Sequence, residues 1–181
     1  AGKNVGGYNN FWMDRGTTVV GTRRTSLIVD PPNGRLPSMT ESGKGRADAG
    51  RGSFSDDAAW SYTDLTTADR CLLGFNAGPP ITPAGYNQNM QLFQTSDYVV
   101  ILNEMVHNAR IIPLDGRPRL DDGISQWSGD SRGHWEGDTL VIETTTFNDQ
   151  RQWRGPPSLG LGAATSQNMK VVERLTRVDA D

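Results

Sequence analysis

The clearest pattern in the chain is a set of short apolar runs between residues 90 and 114. The runs are Met90 to Gln94, Tyr98 to Glu104 and Ala109 to Leu114. The connections between them are too short for a crossover helix, so the runs are predicted to be neighbouring antiparallel strands. In the middle strand, Val99 and Asn103 share one face, and the polar Asn103 predicts that this face reaches solvent or a partner.

A second hairpin is predicted around Glu136-Gly137-Asp138, a tight-turn sequence between apolar flanks at His134-Trp135 and at Thr139 to Phe147. A further strand is predicted between Met169 and Val178. Glycine and proline supply 21 and 10 of the 181 residues, which predicts long links rich in turns. Together these elements predict an all-β fold, an antiparallel meander that forms a barrel or a strongly curved sheet.

The remaining segments add little regular structure. Thr17 to Thr22 and Thr25 to Val29 are predicted to form a strand pair, and residues 38–57 a flexible, glycine-rich insertion. One or two short helical turns are predicted between Ala58 and Leu73. The chain from 1 to 181 is interpreted as a single β domain. Its last strand ends on a turn with no returning strand, so we expect the sequence to be a fragment of a longer protein.

Composition excludes several classes of protein. Lys and Arg number 18 against 21 Asp and Glu, for a net charge of −3, so nucleic acid is not an expected partner. No run of about 18 apolar residues is present, so no transmembrane segment is predicted. A single cysteine, Cys71, excludes an internal disulfide, and its apolar neighbours predict that it is buried.

No metal or cofactor is expected from the two histidines. Glu104 and His107 have the spacing of a helical metal motif, but in a strand residues three apart point to opposite faces. A mixed site of His107 and His134 with Asp130 or Glu136 would require two hairpins to converge. Side chains at hairpin ends that satisfy backbone groups are the simpler interpretation.

The segment from Gln126 to Asp138 is the densest in polar and aromatic residues, and it is interpreted as a loop. Its candidate binding residues are Trp127, Asp130, Arg132, His134 and Trp135. Asp130 and Glu136 offer an acid–base pair, Arg132 a forked donor, and the two tryptophans flat apolar surfaces. The alternative is structural, with Asp130 and Arg132 paired to hold the loop against the sheet. Ser131 lies in no nucleophile elbow, so no catalytic residue is assigned.

Four segments carry a resemblance to a known family. They are Tyr8 to Gly16, Arg24 to Pro32, Ala109 to Pro118 and Gly129 to Val141. The chain resembles, over nearly its whole length, an uncharacterised family of exported bacterial proteins from soil and phototrophic lineages. Members of that family have a signal peptide and continue past the position of Asp181. The resemblance implies a periplasmic or extracellular location, and it carries over no activity or catalytic residue.

Two functions follow as hypotheses. The first is a non-catalytic periplasmic accessory or structural subunit that docks on a larger assembly. The lineages of the similar proteins suggest a membrane energy-conversion complex, photosynthetic or respiratory, as that assembly. The second is an exported protein or enzyme that binds a carbohydrate or another small molecule through the 126–138 segment. Both predict that Trp127 and Arg132 contribute to binding.

Overall fold

A computed structural model describes residues 26–49, 61–62, 65, 67, 69–74, 76–83, 86–121, 123–148 and 166–178. Within these residues the fold is mostly β, with two three-stranded antiparallel sheets and one α-helix. Sheet 1 consists of β1 (Met90–Gln94), β2 (Tyr98–Asn103) and β3 (Ala109–Pro113). Sheet 2 consists of β4 (Asp130–Glu136), β5 (Thr139–Thr145) and β6 (Val171–Thr176). The strand order is β1-β2-β3 in sheet 1 and β4-β5-β6 in sheet 2.

Sheet 1 confirms the predicted meander. In the turn from β1 to β2, the amide of Tyr98 donates to Thr95 Oγ1 at 3.0 Å, and the amide of Thr95 donates to the Tyr98 carbonyl at 2.9 Å. A short 3-10 turn, Met105–His107, joins β2 to β3, and Val106 and His107 adopt left-handed backbone angles in it. Glu104 and His107 therefore lie in a turn rather than in the strand that the sequence predicted.

Sheet 2 confirms the second hairpin and the last strand, but it corrects the extent of the predicted loop. The hairpin turns at Gly137, whose φ of +58° favours glycine. β4 begins at Asp130, inside the segment from Gln126 to Asp138 that was interpreted as a loop. The polar residues at its start are accommodated by cross-strand bonds, because Ser131 and Thr144 are buried with their hydroxyl oxygens 2.9 Å apart.

The core lies between the two sheets. It contains Val99, Ile101, Ile112, Leu140 and Ile142. Gly133 lets the sheets approach closely, since a Cβ there would lie 2.8 Å from Leu114 Cδ2 and 2.9 Å from Ile112 Cγ2. The described strands form two separate sheets, and no barrel closes among them.

The core corrects the predicted orientation of β2. Val99, Ile101 and Asn103 are buried, so this face points inward rather than to solvent. Asn103 is tolerated there because its side-chain amide donates to the Ala77 carbonyl at 3.3 Å. The opposite face of β2, which carries Tyr98, Val100 and Leu102, is the more exposed one.

Other expectations are corrected outside the sheets. Helix α1 (Glu41–Ala49) lies within residues 38–57, where composition predicts an irregular segment. Thr40 starts it, because its Oγ1 accepts the amide of Gly43 at 3.1 Å. Residues 26–29 form no strand, and Cys71 is exposed. The predicted strand from Thr17 to Thr22 lies outside the described residues.

The predicted helical turns between residues 58 and 73 fall only partly within the described chain. The described residues of this segment lie mostly in turns and bends, and among them only Tyr62 has a 3-10 conformation. In the described part of the chain, no helix is long and apolar enough to cross a membrane.

Candidate functional site

Strand β4 separates the residues that the sequence grouped into one site. Asp130, Arg132 and His134 alternate along one face of the strand, and Trp135 lies on the opposite face. Trp127 precedes the strand in a turn. The five candidates therefore do not converge on one point, and each must be considered with its own neighbours.

Asp130 and Arg132 brace the segment that precedes β4. The Asp130 carboxylate is buried, accepts a bond from Arg132 Nη1 and accepts the amide of Leu120 at 3.1 Å. Arg132 Nη2 donates in turn to the Pro118 carbonyl at 2.8 Å. Both carboxylate oxygens are thus engaged by the protein itself, so any ligand on Asp130 would have to displace one of these bonds.

Asp130 and Glu136 do not form an acid–base pair. They lie on the same face of β4 but six residues apart, which separates them by about 20 Å along the strand. Carboxyl groups that act together on one glycosidic bond lie roughly 5–9.5 Å apart. The distance therefore excludes a shared reaction centre of this kind.

The outer face of sheet 2 carries a network of charges. Arg174 Nη2 donates to Glu136 Oε2 at 2.6 Å, and His134 Nε2 lies 3.3 Å from Glu136 Oε1. The bond from Arg174, with a smaller contribution from His134, holds the pKa of Glu136 below its usual range. Glu143 contacts Lys170 at 3.1 Å, and that ion pair lowers the pKa of Glu143.

This network positions His134 in an exposed ion cluster rather than in a cavity. Among the described residues, no group of three or more His, Cys, Asp or Glu side chains could hold a metal ion. Glu104, whose spacing from His107 resembles a helical metal motif, accepts the side-chain amide of Asn89 at 3.0 Å.

Trp127 contacts a cation from another part of the chain. The Arg70 guanidinium carbon lies 5.6 Å from the Trp127 ring centroid and 5.1 Å from that of Tyr62. Cation–π contacts of this length are stabilising. Trp127 is partly buried and connects the turn before β4 to the segment around residue 70.

Trp135 is the candidate residue with an open space beside it. Its side chain is 45 % exposed, and it lines an open cleft of about 490 Å³. The cleft is lined by Gln94, Trp135, Gly137, Asp138, Arg177 and Val178. Its position between the end of β1 and the tip of the β4–β5 hairpin combines an aromatic ring with amide, carboxylate and guanidinium groups.

A second exposed surface was missed by the sequence analysis. The strand register aligns Phe93, Val100 and Ile111 across the outer face of sheet 1. Phe93 is 46 % exposed and Ile111 is 64 % exposed. We call Phe93, Tyr98, Val100, Leu102 and Ile111 the apolar face. Both faces of β2 carry apolar residues, Val99 and Ile101 on one face and Val100 and Leu102 on the other. The sequence alone therefore indicated that the outward face of β2 exposes apolar side chains.

Comparison of the chain with protein-family models, with curated proteins and with solved structures gave no significant match.

Proposed function

We propose that this chain is a non-catalytic accessory subunit that docks on a larger assembly through the apolar face. The observation that supports this proposal is the row of Phe93, Val100 and Ile111, which leaves large aliphatic and aromatic groups exposed on a regular sheet. Contiguous exposed apolar surface of this kind is typical of interaction sites. Depletion of charge at the centre of such a surface is typical of interface cores.

The two outer faces of the protein differ in character, and this difference favours sheet 1 as the docking surface. The outer face of sheet 2 presents the ion pairs of Glu136 with Arg174 and of Glu143 with Lys170. The outward positions of the sheet 1 strands carry no charged residue. They are apolar or aromatic except for Gln91, and Arg117 from the segment after β3 stacks on the Tyr98 ring. Desolvating the ion pairs would cost free energy, whereas covering the apolar face would be favourable.

The proposed location is the periplasm or the extracellular space, on the basis of the resemblance to exported bacterial proteins. The proposed assembly is a membrane energy-conversion complex, photosynthetic or respiratory, because of the lineages in which the similar proteins occur. Fractionation of the bacterium that makes the protein tests the location. Recovery in the cytosolic fraction would contradict it.

The docking proposal is tested by purifying the tagged protein from its own bacterium after mild detergent extraction. We expect a defined set of partner subunits to co-purify in fixed ratio. Ile111→Ser removes about 2 kcal/mol if Ile111 is a central contact, which weakens association about 30-fold. Val172→Ser is the matched control, since Val172 lies on the outer face of sheet 2 and is 51 % exposed.

The docking proposal is contradicted if partners co-purify equally with Ile111→Ser and with the wild-type protein. It is also contradicted if Val172→Ser causes the same loss as Ile111→Ser. Circular dichroism must give native spectra for both variants, so that a loss of association is not a loss of folding.

A second candidate function is binding of a carbohydrate or another small molecule in the cleft beside Trp135. The cleft has a volume of about 490 Å³, comparable to small-molecule sites, but it is open to solvent and would cover only part of a ligand. An exposed tryptophan beside Asp138 and Arg177 offers a flat ring together with hydrogen-bonding groups. Titration with neutral oligosaccharides tests this function, with Trp135→Ala expected to abolish binding and Trp127→Ala to retain it.

A further inference from the structure

Within the described part of the chain, strand β1 is an open edge with none of the usual protection. Among the described strands it pairs only with β2, so one row of its backbone amides and carbonyls faces outward. All five residues of its sequence MQLFQ are exposed, and none is charged or proline. Proteins usually protect such edges with lysine, proline, bulges or a covering segment.

The other edge strands differ from β1 in these respects, because β3 includes Arg110 and Pro113 and β4 includes Asp130 and Glu136. Strand β6 alternates between partly buried and exposed positions, and it includes Glu173 and Arg174. The charge on Arg174 is directed into the exposed ion cluster with Glu136. Strand β1 is therefore the edge that is better suited to accept another strand.

The cleft beside Trp135 lies at the same edge. Gln94 and Leu92 pair with Val99 and Ile101, so their side chains lie on the inner face of sheet 1. Gln94 lines the cleft, and Leu92 is 47 % exposed although it lies on the inner face. A strand added beside β1 would direct every second side chain toward the side of the sheet on which the cleft opens.

We propose that β1 binds an extended, uncharged segment of a partner protein by β-strand addition, with alternate apolar side chains entering the cleft beside Trp135. In this mode of recognition, main-chain bonds supply affinity and side-chain pockets supply specificity. The absence of charge on β1 favours an uncharged ligand along the strand, and Trp135 and Val178 offer apolar surface inside the cleft. The inference goes beyond the proposed docking function, because it assigns a second contact surface at the edge of sheet 1 rather than on the apolar face.

A second copy of this chain fits the edge less well than a different strand. In a twofold pair of β1 strands centred on Leu92, Met90 would oppose Gln94 and Gln91 would oppose Phe93. Only Leu92 would meet an apolar residue. A partner segment with its own sequence can place apolar side chains opposite all three apolar residues of β1.

The probe for this inference is a phage-displayed library of random peptides, selected on the full chain and counter-selected on Leu92→Lys. We expect the enriched peptides to be uncharged and apolar at alternate positions. The dissociation constant of the best synthetic peptide should rise at least about tenfold with Leu92→Lys or Trp135→Ala. Val172→Lys is the matched control, because Val172 is an exposed apolar residue of β6, an edge strand of sheet 2, and it should leave binding unchanged.

Backbone methylation distinguishes strand addition from simple apolar contact. In an added strand, the backbone amides of every second peptide residue bond to β1, and the amides between them point away. N-methylation of the first group should therefore abolish binding, and N-methylation of the second group should leave it intact. Equal effects at both sets, or no enrichment after counter-selection, would overturn the inference. Wild-type self-association that Leu92→Lys abolishes would also overturn it, because a second copy would then occupy the edge.

Different experimental results would contradict strand addition at β1 and docking through the apolar face. If Ile111→Ser disrupts the native assembly but no peptide binds β1, docking stands and strand addition is wrong. If a peptide binds β1 but no assembly co-purifies from the bacterium, strand addition stands and the accessory role is wrong. Thermal unfolding of each variant confirms that it is folded before binding is compared.

Discussion

The buried ion pair between Arg110 and Glu173 connects the two sheets, and its removal should have the largest effect on stability. Arg110 Nη1 lies 2.6 Å from Glu173 Oε2, and the side chains are 3 % and 9 % exposed. Glu173 Oε1 also accepts the amide of Ile81 at 3.1 Å. Glu173→Ala would leave a buried cation without its counter-charge and a backbone amide without its acceptor.

The expected cost of Glu173→Ala follows from these two losses. Breaking one side of a buried ion pair costs about 3–5 kcal/mol, because the remaining charge stays desolvated. An unpaired buried amide costs about 1–3 kcal/mol, and this loss overlaps with the first. We therefore expect about 4 kcal/mol, a large part of the roughly 5–15 kcal/mol that stabilises a typical domain.

The assay is equilibrium urea unfolding, followed by circular dichroism, of the wild-type protein and three variants. Glu136→Ala is the matched control, since the Glu136–Arg174 pair has the same 2.6 Å separation but is exposed, and we expect little effect from it. Replacing both buried partners, as in Arg110→Met with Glu173→Leu, should restore most of the lost stability. Among the described residues, Arg110 Nε and Nη2 have no hydrogen-bond partner, which adds to the gain from removing the charge.

Two results would refute this reasoning. If Glu173→Ala costs no more than Glu136→Ala, burial of the Arg110–Glu173 pair does not control its contribution. If the double variant is as unstable as the single variant, the loss arises from packing or from the unpaired Ile81 amide rather than from an uncompensated charge. The comparison requires that the free energy of unfolding falls with urea concentration at the same slope in every variant.

Three further predictions concern one position in each sheet and an exposed ion pair after β3. Gly133→Ala should destabilise the protein by about 1–3 kcal/mol in thermal unfolding because its Cβ would overpack the core, and an unchanged midpoint would refute the close contact. Asn103→Ala should cost about 1–3 kcal/mol because the buried Ala77 carbonyl loses its donor, and urea unfolding measures this cost. The hydrogen bond from Arg117 lowers the pKa of Asp115 to about 2 from its usual 3.8, so the stabilisation by this pair is present above pH 3.8 and is lost as the pH falls toward 2. A carboxyl-carbon NMR titration should show this pKa return toward 3.8 in Arg117→Gln, and no change there would contradict the assigned cause.

The strands of sheet 1 were predictable because two independent properties of the sequence agreed. Their apolar runs have strand length, and the links between them are too short for any arrangement except antiparallel neighbours. The turn around Gly137 was predictable because tight hairpins favour glycine where φ is positive. The strand boundaries and the hairpin pairing depend on residues that are close together in the chain, so they can be predicted from one sequence.

The orientation of β2 was not predictable from its own residues. Asn103 is the one polar residue on its face, and polarity alone indicates solvent. Its amide instead bonds to the Ala77 carbonyl, a partner 26 residues away in the chain. The start of β4 was missed for the same reason, since Ser131 is satisfied by Thr144 across the sheet. A buried polar residue depends on partners that the local sequence does not reveal.

The candidate site was only partly predictable because residues that are close in the sequence point to opposite faces of a strand. Asp130 and Trp135 are near in the chain, but alternation places one among bracing bonds and the other beside a cleft. The partners of the predicted residues come from distant segments, as Arg70 does for Trp127 and Arg174 does for the hairpin. Residue type therefore indicated which side chains could bind, and the fold decided which of them face open space.

This separation makes stability and docking independently testable. The bonds of Asp130 and Arg132 hold the segment near Pro118 against sheet 2, so changes there should act mainly on folding. Leu92 and Trp135 are each nearly half exposed, and neither belongs to the buried core cluster. Substitutions at these two positions should therefore alter an interaction surface while costing little stability. A loss of binding in their variants can then be assigned to the edge of β1 and its cleft.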